Sequence, residues 1–228
     1  MHVPDGFLDA PTSVGTAVVA AACVAASLRR ARHELDDRAA PLAGLVAVFV
    51  FAAQLLNFPV GAGTSGHLIG AALAAVLVGP ATATLCLTVV LAVQALLFAD
   101  GGISALGTNI LLMGVVAVWV GWGAFRLALA VLPRRRWSVP LAAGTGAFAS
   151  VPVAALAFVA LYAVGGVAPI PIGALAVAMG GWHLVIGLGE ALITFLAVSS
   201  ILAARPDLVH GARGHLPALE LRVCQAAR

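Results

Sequence analysis

Apolar residues fall into seven runs along the chain, at about residues 13–28, 41–57, 67–79, 80–98, 109–132, 139–163 and 181–204, with short polar or glycine- and proline-rich breaks between them. A helix that crosses a bilayer needs about 20 residues. Six runs come near that length, but the third has only 13 residues, from His67 to Gly79. It follows Asn57-Phe58-Pro59-Val60-Gly61-Ala62-Gly63-Thr64-Ser65-Gly66, a stretch rich in residues that interrupt a helix. The pattern predicts an all-α integral membrane bundle whose third crossing is broken, an irregular segment leading into a half-length helix. Irregular backbone at membrane depth is tolerated only where protein buries it or where it lines a wet cavity. Residues 58–66, Ser65 among them, are therefore expected to line a site.

Composition agrees with a polytopic bundle. Of the 228 residues 62% are hydrophobic and 9% charged, with a mean hydropathy of +1.10, against about 25% charged in soluble domains. Because the apolar runs recur along nearly the whole length, residues 1–204 read as one transmembrane domain and 205–228 as a short cytoplasmic tail. Cys23, Cys86 and Cys224 are too scattered for a disulfide framework or a CxxC pair. No basic residue other than His2 precedes Arg29, so a secretory signal is not expected and the N-terminus is read as retained.

All twelve basic residues other than histidine are arginines, and they set the topology rather than a nucleic-acid surface. If the third run crosses, Arg29, Arg30, Arg32 and Arg38 share a side with Arg134 to Arg136 and with Arg205, Arg213, Arg222 and Arg228. The loops on the other side then carry none. If the run turned back, this asymmetry would be lost. The positive-inside rule thus predicts seven crossings with the N-terminus outside and the C-terminus cytoplasmic. Arg126, in the last third of the fifth run, is placed to snorkel to the cytoplasmic edge. Trp137 and Trp182 fall near interfaces, while Trp119 and Trp122 are mid-span and expected to pack.

Topology also sorts the histidines. His33, His210 and His215 lie on the cytoplasmic side in polar segments, where solvated surface histidines are expected. His2, His67 and His183 all fall toward the outer side. In Met1-His2, a free amine, the deprotonated amide of His2 and its imidazole can wrap one metal in fused chelate rings. One further imidazole completes a square plane, a geometry suited to Ni(II) or Cu(II), and imidazole-rich sites also suit cobalt. A histidine at position 2 of an arbitrary chain is usually part of a frayed tail. Here the turn residues Pro4, Asp5 and Gly6, followed by apolar Phe7 and Leu8, predict a terminus folded back into the bundle.

His67 reads either as a core histidine satisfied by a carbonyl or as a ligand. Its place at the start of the half helix favours the ligand, since a helix N-terminus opposes protonation. His183, Gly187 and Glu190, spaced i, i+4 and i+7, share one helix face. For Glu190, an in-span acid, a supporting hydrogen-bonded role outweighs direct ligation. Asp100, with Gly101 and Gly102 ahead of Asn109, forms an outer turn able to support the pocket.

Four segments together resemble a known family. They are Met1-His2-Val3-Pro4-Asp5-Gly6-Phe7-Leu8; Gly63-Thr64-Ser65-Gly66-His67-Leu68 with Gly79-Pro80; Phe98-Ala99-Asp100-Gly101-Gly102 with Gly107-Thr108-Asn109; and His183-Leu184-Val185-Ile186-Gly187-Leu188-Gly189-Glu190-Ala191-Leu192. In this order they resemble the CbiM/NikM proteins, substrate-binding S components of energy-coupling factor (ECF) ABC transporters. The resemblance implies Ni²⁺ or Co²⁺ as transported substrate, with no organic cofactor. Its ligands would be the Met1 amine, the His2 amide and imidazole, and the His67 imidazole. His183, Glu190, Asn109, Asp100 and Ser65 are expected around the pocket. The implied partners are a transmembrane coupling (T) subunit, two cytoplasmic ATPases and often a small accessory membrane protein. The chain itself would be non-catalytic, and it has no GxxxxGK[ST] pattern.

Two alternatives use the same nitrogen site. An intramembrane metalloenzyme would want an open metal position and a nearby general base, whereas a filled square plane offers no equatorial water. A carrier driven by an ion gradient would more often show paired in-span acids and inverted repeats. Glu190 is the one acid in an apolar run. The donors accept nickel and cobalt alike.

Overall fold

Helix α1 (Ala10–Ala31) begins where the Asp9 carboxylate accepts a hydrogen bond from the Thr12 amide at 2.8 Å, with a proline in the first turn. It is followed by α2 (Ala39–Gln54), a hairpin of β1 (Phe58–Gly61) and β2 (Thr64–Gly66), α3 (Ala71–Val78) and α4 (Pro80–Leu97). Next, α5 (Leu106–Asn109), a π-helical stretch (Ile110–Val116) and α6 (Ala117–Val131) run on as one 26-residue crossing. Helices α7 (Ser138–Gly165) and α8 (Ile172–Ala204) complete the bundle. The computed structural model describes residues 1–35, 39–61 and 64–216. Arg38, Ala62, Gly63, Arg222, Cys224 and Arg228 lie outside the described residues.

Five helices are long and apolar enough to cross a bilayer, and α2 adds a shorter apolar one. The chain is a multi-pass membrane protein. Large apolar side chains such as Val18, Leu45, Val131 and Val177 point outward, as a lipid-facing surface requires. Inside, small residues bring the backbones together. A Cβ on Gly107 would lie 2.4 Å from the Ala17 Cα, and one on Gly121 would lie 2.8 Å from the Ala72 Cβ, so α5 meets α1 and α6 meets α3 at close range.

Contacts at the two ends establish seven passes. At one end the Asp9 amide donates to the Gly165 carbonyl (2.7 Å), the Val167 amide to Phe7 (3.1 Å) and the Gly102 amide to Val3 (2.9 Å). The N-terminus and the α4–α5 and α7–α8 loops therefore share that end. At the other end Glu34, just after α1, accepts hydrogen bonds from the Ala81 and Thr82 amides at the start of α4 (3.2 and 2.7 Å). The break between α3 and α4 thus reaches the side of the α1–α2 turn, and the third segment crosses. The described arginines other than Arg126 belong to segments at this second end, which the positive-inside rule makes cytoplasmic.

Four sequence expectations are revised in detail. The half helix has 8 residues rather than 13, and all of them are buried. Ahead of it the glycine- and proline-rich stretch pairs as a hairpin, with Phe58 opposite Gly66. Helix α8 starts nine residues before the expected span. The tail residues His210 to Ala212 fold under α3, where a Cβ on Gly211 would meet Phe125 and Val76. His210 is consequently half-buried, its ring 5.8 Å from that of Trp122. The cause is apolar Val209 and Ala212, which are buried beneath the bundle. His33 is exposed, as expected.

Candidate metal centre

The first eight residues form a plug in the outer end. Gly6 takes a left-handed φ of +73°, turning the chain back before Phe7, whose ring packs on Phe158 and Tyr162. Asp5 accepts hydrogen bonds from the Ser104 hydroxyl and from the Ser104 and Ile103 amides, which hold its carboxyl below the ordinary range. Val3 is clasped by Asn109, whose Oδ1 accepts from the Val3 amide (2.7 Å) while its Nδ2 donates to the Val3 carbonyl (3.1 Å). Asn109→Ala removes this clasp and no nitrogen donor. Metal affinity is expected to fall by about 10- to 100-fold, read by titrating the purified protein.

The clasp drives Met1 and His2 inward. Met1 is 2% exposed, and burial lowers the pKa of its amine to about 4, against a smaller opposing pull from Asp100. At neutral pH the amine is uncharged and carries a lone pair. His2 lies between two acceptors, with Nε2 3.1 Å from Gln94 Oε1 and Nδ1 3.1 Å from Asp100 Oδ1. The second contact lacks hydrogen-bond alignment. The tautomer that donates Nε2–H to Gln94 leaves Nδ1 with its lone pair, as the chelate of Met1-His2 needs.

His67 and His183 are both fully buried and share one arrangement. In each, Nδ1–H donates to a backbone carbonyl, of Leu68 at 2.9 Å and of Met179 at 2.8 Å, and Nε2 has no partner. A carbonyl on one ring nitrogen and a bare second nitrogen is how ligating imidazoles are held. The His2 and His67 rings stack with centroids 4.5 Å apart. The Met1 amine is within electrostatic reach of His67, His183 and Asp100. Leaving a buried polar atom unpaired costs about 1–3 kcal/mol, and the Nε2 atoms of His67 and His183 are both left so. Among the described residues no three His, Cys, Asp or Glu side chains form a metal cluster by themselves.

The helix-dipole expectation moves to another residue. His67 lies four residues before α3, and the carboxylate facing the start of that helix belongs to Glu190. Its Oε2 accepts from the Ile69 amide (2.8 Å) and its Oε1 from the Gly70 amide (2.9 Å). Gln54 donates to the Ile69 carbonyl at 2.8 Å. Gly70, at φ +73° with Val50 2.9 Å from a would-be Cβ, makes the turn into the helix. Glu190 is thus a positioning residue that fixes the strap carrying His67. Glu190→Ala would strand two buried amides and is expected to cost about 2–6 kcal/mol, measured as a lowered thermal unfolding midpoint, while Glu190→Gln, which keeps one acceptor, costs less.

Gln54 and Gln94 are site residues that sequence reasoning passed over, as it did Glu34 at the opposite end. Each is an isolated amide or acid bordering an apolar run, a signal of the same kind as Glu190. Toward the outside, a cavity of about 470 Å³ lined by His2, Asn57, Thr64, Ser65 and Asp100 leads to the cluster. Asn57 Nδ2 lies 3.4 Å from Asp100 Oδ1 across its mouth. Asp100 thereby sets a carboxylate at the mouth.

The CbiM family model, the cobalt uptake substrate-specific transmembrane region, matches residues 2–208. The chain belongs to the CbiM family. A putative metal transport protein of Haloquadratum walsbyi is 40% identical over 209 residues, covering 92% of this chain and 93% of that one. A putative fused nickel transport protein NikMN of Archaeoglobus fulgidus is 37% identical over 216 residues, covering 92% of this chain and 68% of that one. A solved structure described as a truncated transition metal transporter is 32% identical with a TM-score of 0.83, covering 90% of this chain and 99% of that chain. These family members are metal transporters by name, and the CbiM match runs from His2 through Glu190.

Proposed function

We propose that this chain is the substrate-specific subunit of an ATP-driven ECF importer of Ni²⁺ or Co²⁺. The observation that carries the reading is the uncharged, buried Met1 amine beside His2, with the His67 ring stacked on that of His2 and its Nε2 bare. The ion is cargo, drawn to the anionic mouth at Asp100 and stripped of water as the Met1 amine, the His2 amide and Nδ1, and His67 Nε2 replace it. Loss of the amide proton offsets one of the ion's two charges, which lowers the cost of holding it in a dry site. His183, in reach of the same point, orders the site from the α8 side, and Glu190 holds the His67 strap. The chain is non-catalytic. ATP hydrolysis falls to two partner ATPases on the cytoplasmic face, reached through a transmembrane coupling subunit and, in many systems, a small accessory membrane protein.

Reconstitution into vesicles with the coupling subunit and ATPases tests this reading. Uptake of radioactive nickel or cobalt is expected to require ATP and to persist when ionophores collapse the ion gradients. Uptake without ATP that disappears with the gradient would overturn it in favour of a gradient-driven carrier.

A further inference from the structure

Helix α3 is held at both ends by buried carboxylates from other elements, and each carboxylate accepts from two consecutive amides. At the outer end Glu190 of α8 takes the Ile69 and Gly70 amides. At the inner end Glu34, which is buried, takes the Ala81 and Thr82 amides with Oε1 and Oε2 (3.2 and 2.7 Å) and the Thr82 hydroxyl with Oε2 (3.0 Å). Helices α3 and α4 meet at Gly79, where φ is +91° and a Cβ would lie 2.6 Å from the Glu34 carboxylate. With Gly70 at φ +73°, α3 is bracketed by two turns that other residues disfavour. The eight residues between are all buried and four of them are alanine, a smooth rod about 12 Å long at 1.5 Å per residue. A rod bounded by glycine turns moves as a unit, and a close-packed interior transmits a shift at one end to the other. His67 hangs on the strap three residues before Gly70. Metal ligands are placed to within about 0.2 Å, so a sub-ångström displacement of the strap changes its hold on an ion. The turn that carries Glu34 is also within a partner's reach, since Arg32, His33 and Leu35 around it are exposed.

Given His67 as a metal ligand, the reading on which this inference rests, we propose that Glu34 is a positioning residue for the metal site at the other end of α3. By pinning the inner end of the rod it sets how tightly His67 holds the ion, and a partner that pulls on the α1–α2 turn loosens the site from the cytoplasmic face.

The rate at which the purified full-length protein gives up Ni²⁺ to excess EDTA provides the test, together with amide hydrogen exchange of the metal-free protein. Glu34→Gln keeps one acceptor oxygen and strands one amide. It is expected to speed nickel release by about 10-fold or more and to raise exchange at Ile69 and Gly70, at the far end of α3. Thr82→Val, which removes only the hydroxyl, should act in the same direction by a smaller factor, and it carries the test if Glu34→Gln fails to fold. Ser138→Ala gives up a hydrogen bond at the same end of the bundle, to the Pro133 carbonyl (2.6 Å), and should release nickel at the wild-type rate. Wild-type release from the folded Glu34 and Thr82 variants, with faster exchange confined to Ala81 and Thr82, would make Glu34 a local cap and overturn the proposal. An equal acceleration in Ser138→Ala would overturn it too, as general destabilisation. A wild-type protein that retains no nickel would overturn the metal site itself and this role with it.

Discussion

One residue added ahead of Met1 is expected to lower nickel or cobalt affinity by more than about 100-fold, read by titrating purified protein, although every side chain of the site is still present. The addition turns the amine into an amide, which removes the terminal donor of the chelate. It also inserts bulk where Met1 is 2% exposed, at a packing cost of about 1–3 kcal/mol. The two effects are separable. Acetylation of the Met1 amine adds little volume yet removes the same lone pair, so it should abolish binding as thoroughly while disturbing the unfolding midpoint less. High-affinity binding by the acetylated protein would rule out an amine ligand.

His67→Ala is the second large effect. Outer-sphere partners of metal ligands are worth about 10- to 100-fold in affinity, so loss of a ligand itself should exceed about 100-fold. The protein should still fold, because the strap around residue 67 is held by Glu190 and Gln54 at Ile69 and Gly70 rather than by the imidazole. His183→Ala is expected to weaken binding less. Titration of both variants with nickel and cobalt, alongside their unfolding midpoints, checks the ranking. Unchanged affinity in His67→Ala would sink the ligand assignment.

The crossings were legible in the sequence because each is a local property, an apolar run bounded by breakers, and the arginines record their orientation. The fold-back of the terminus was legible for the same reason, in Pro4, Asp5 and Gly6. What escaped depends on distant partners. The start of α3 at Ala71 rather than His67 is set by a left-handed Gly70 and by a carboxylate 120 residues away in sequence. Gln54 and Gln94 carry no motif, and only their neighbours in space give them roles. His183 read as the start of a span because Gly180 and Gly181 resemble a break, whereas α8 runs through both, with open space where a Cβ on either would sit. The tail read as solvated because its charges outnumber the two apolar residues, Val209 and Ala212, that dock it.

The central claim is a planar set of four nitrogens built around the chain terminus, and X-ray absorption at the nickel edge of the loaded wild-type protein tests it most directly. A square-planar near-edge signature with a nitrogen-only first shell is predicted. A six-coordinate, oxygen-containing shell would contradict it.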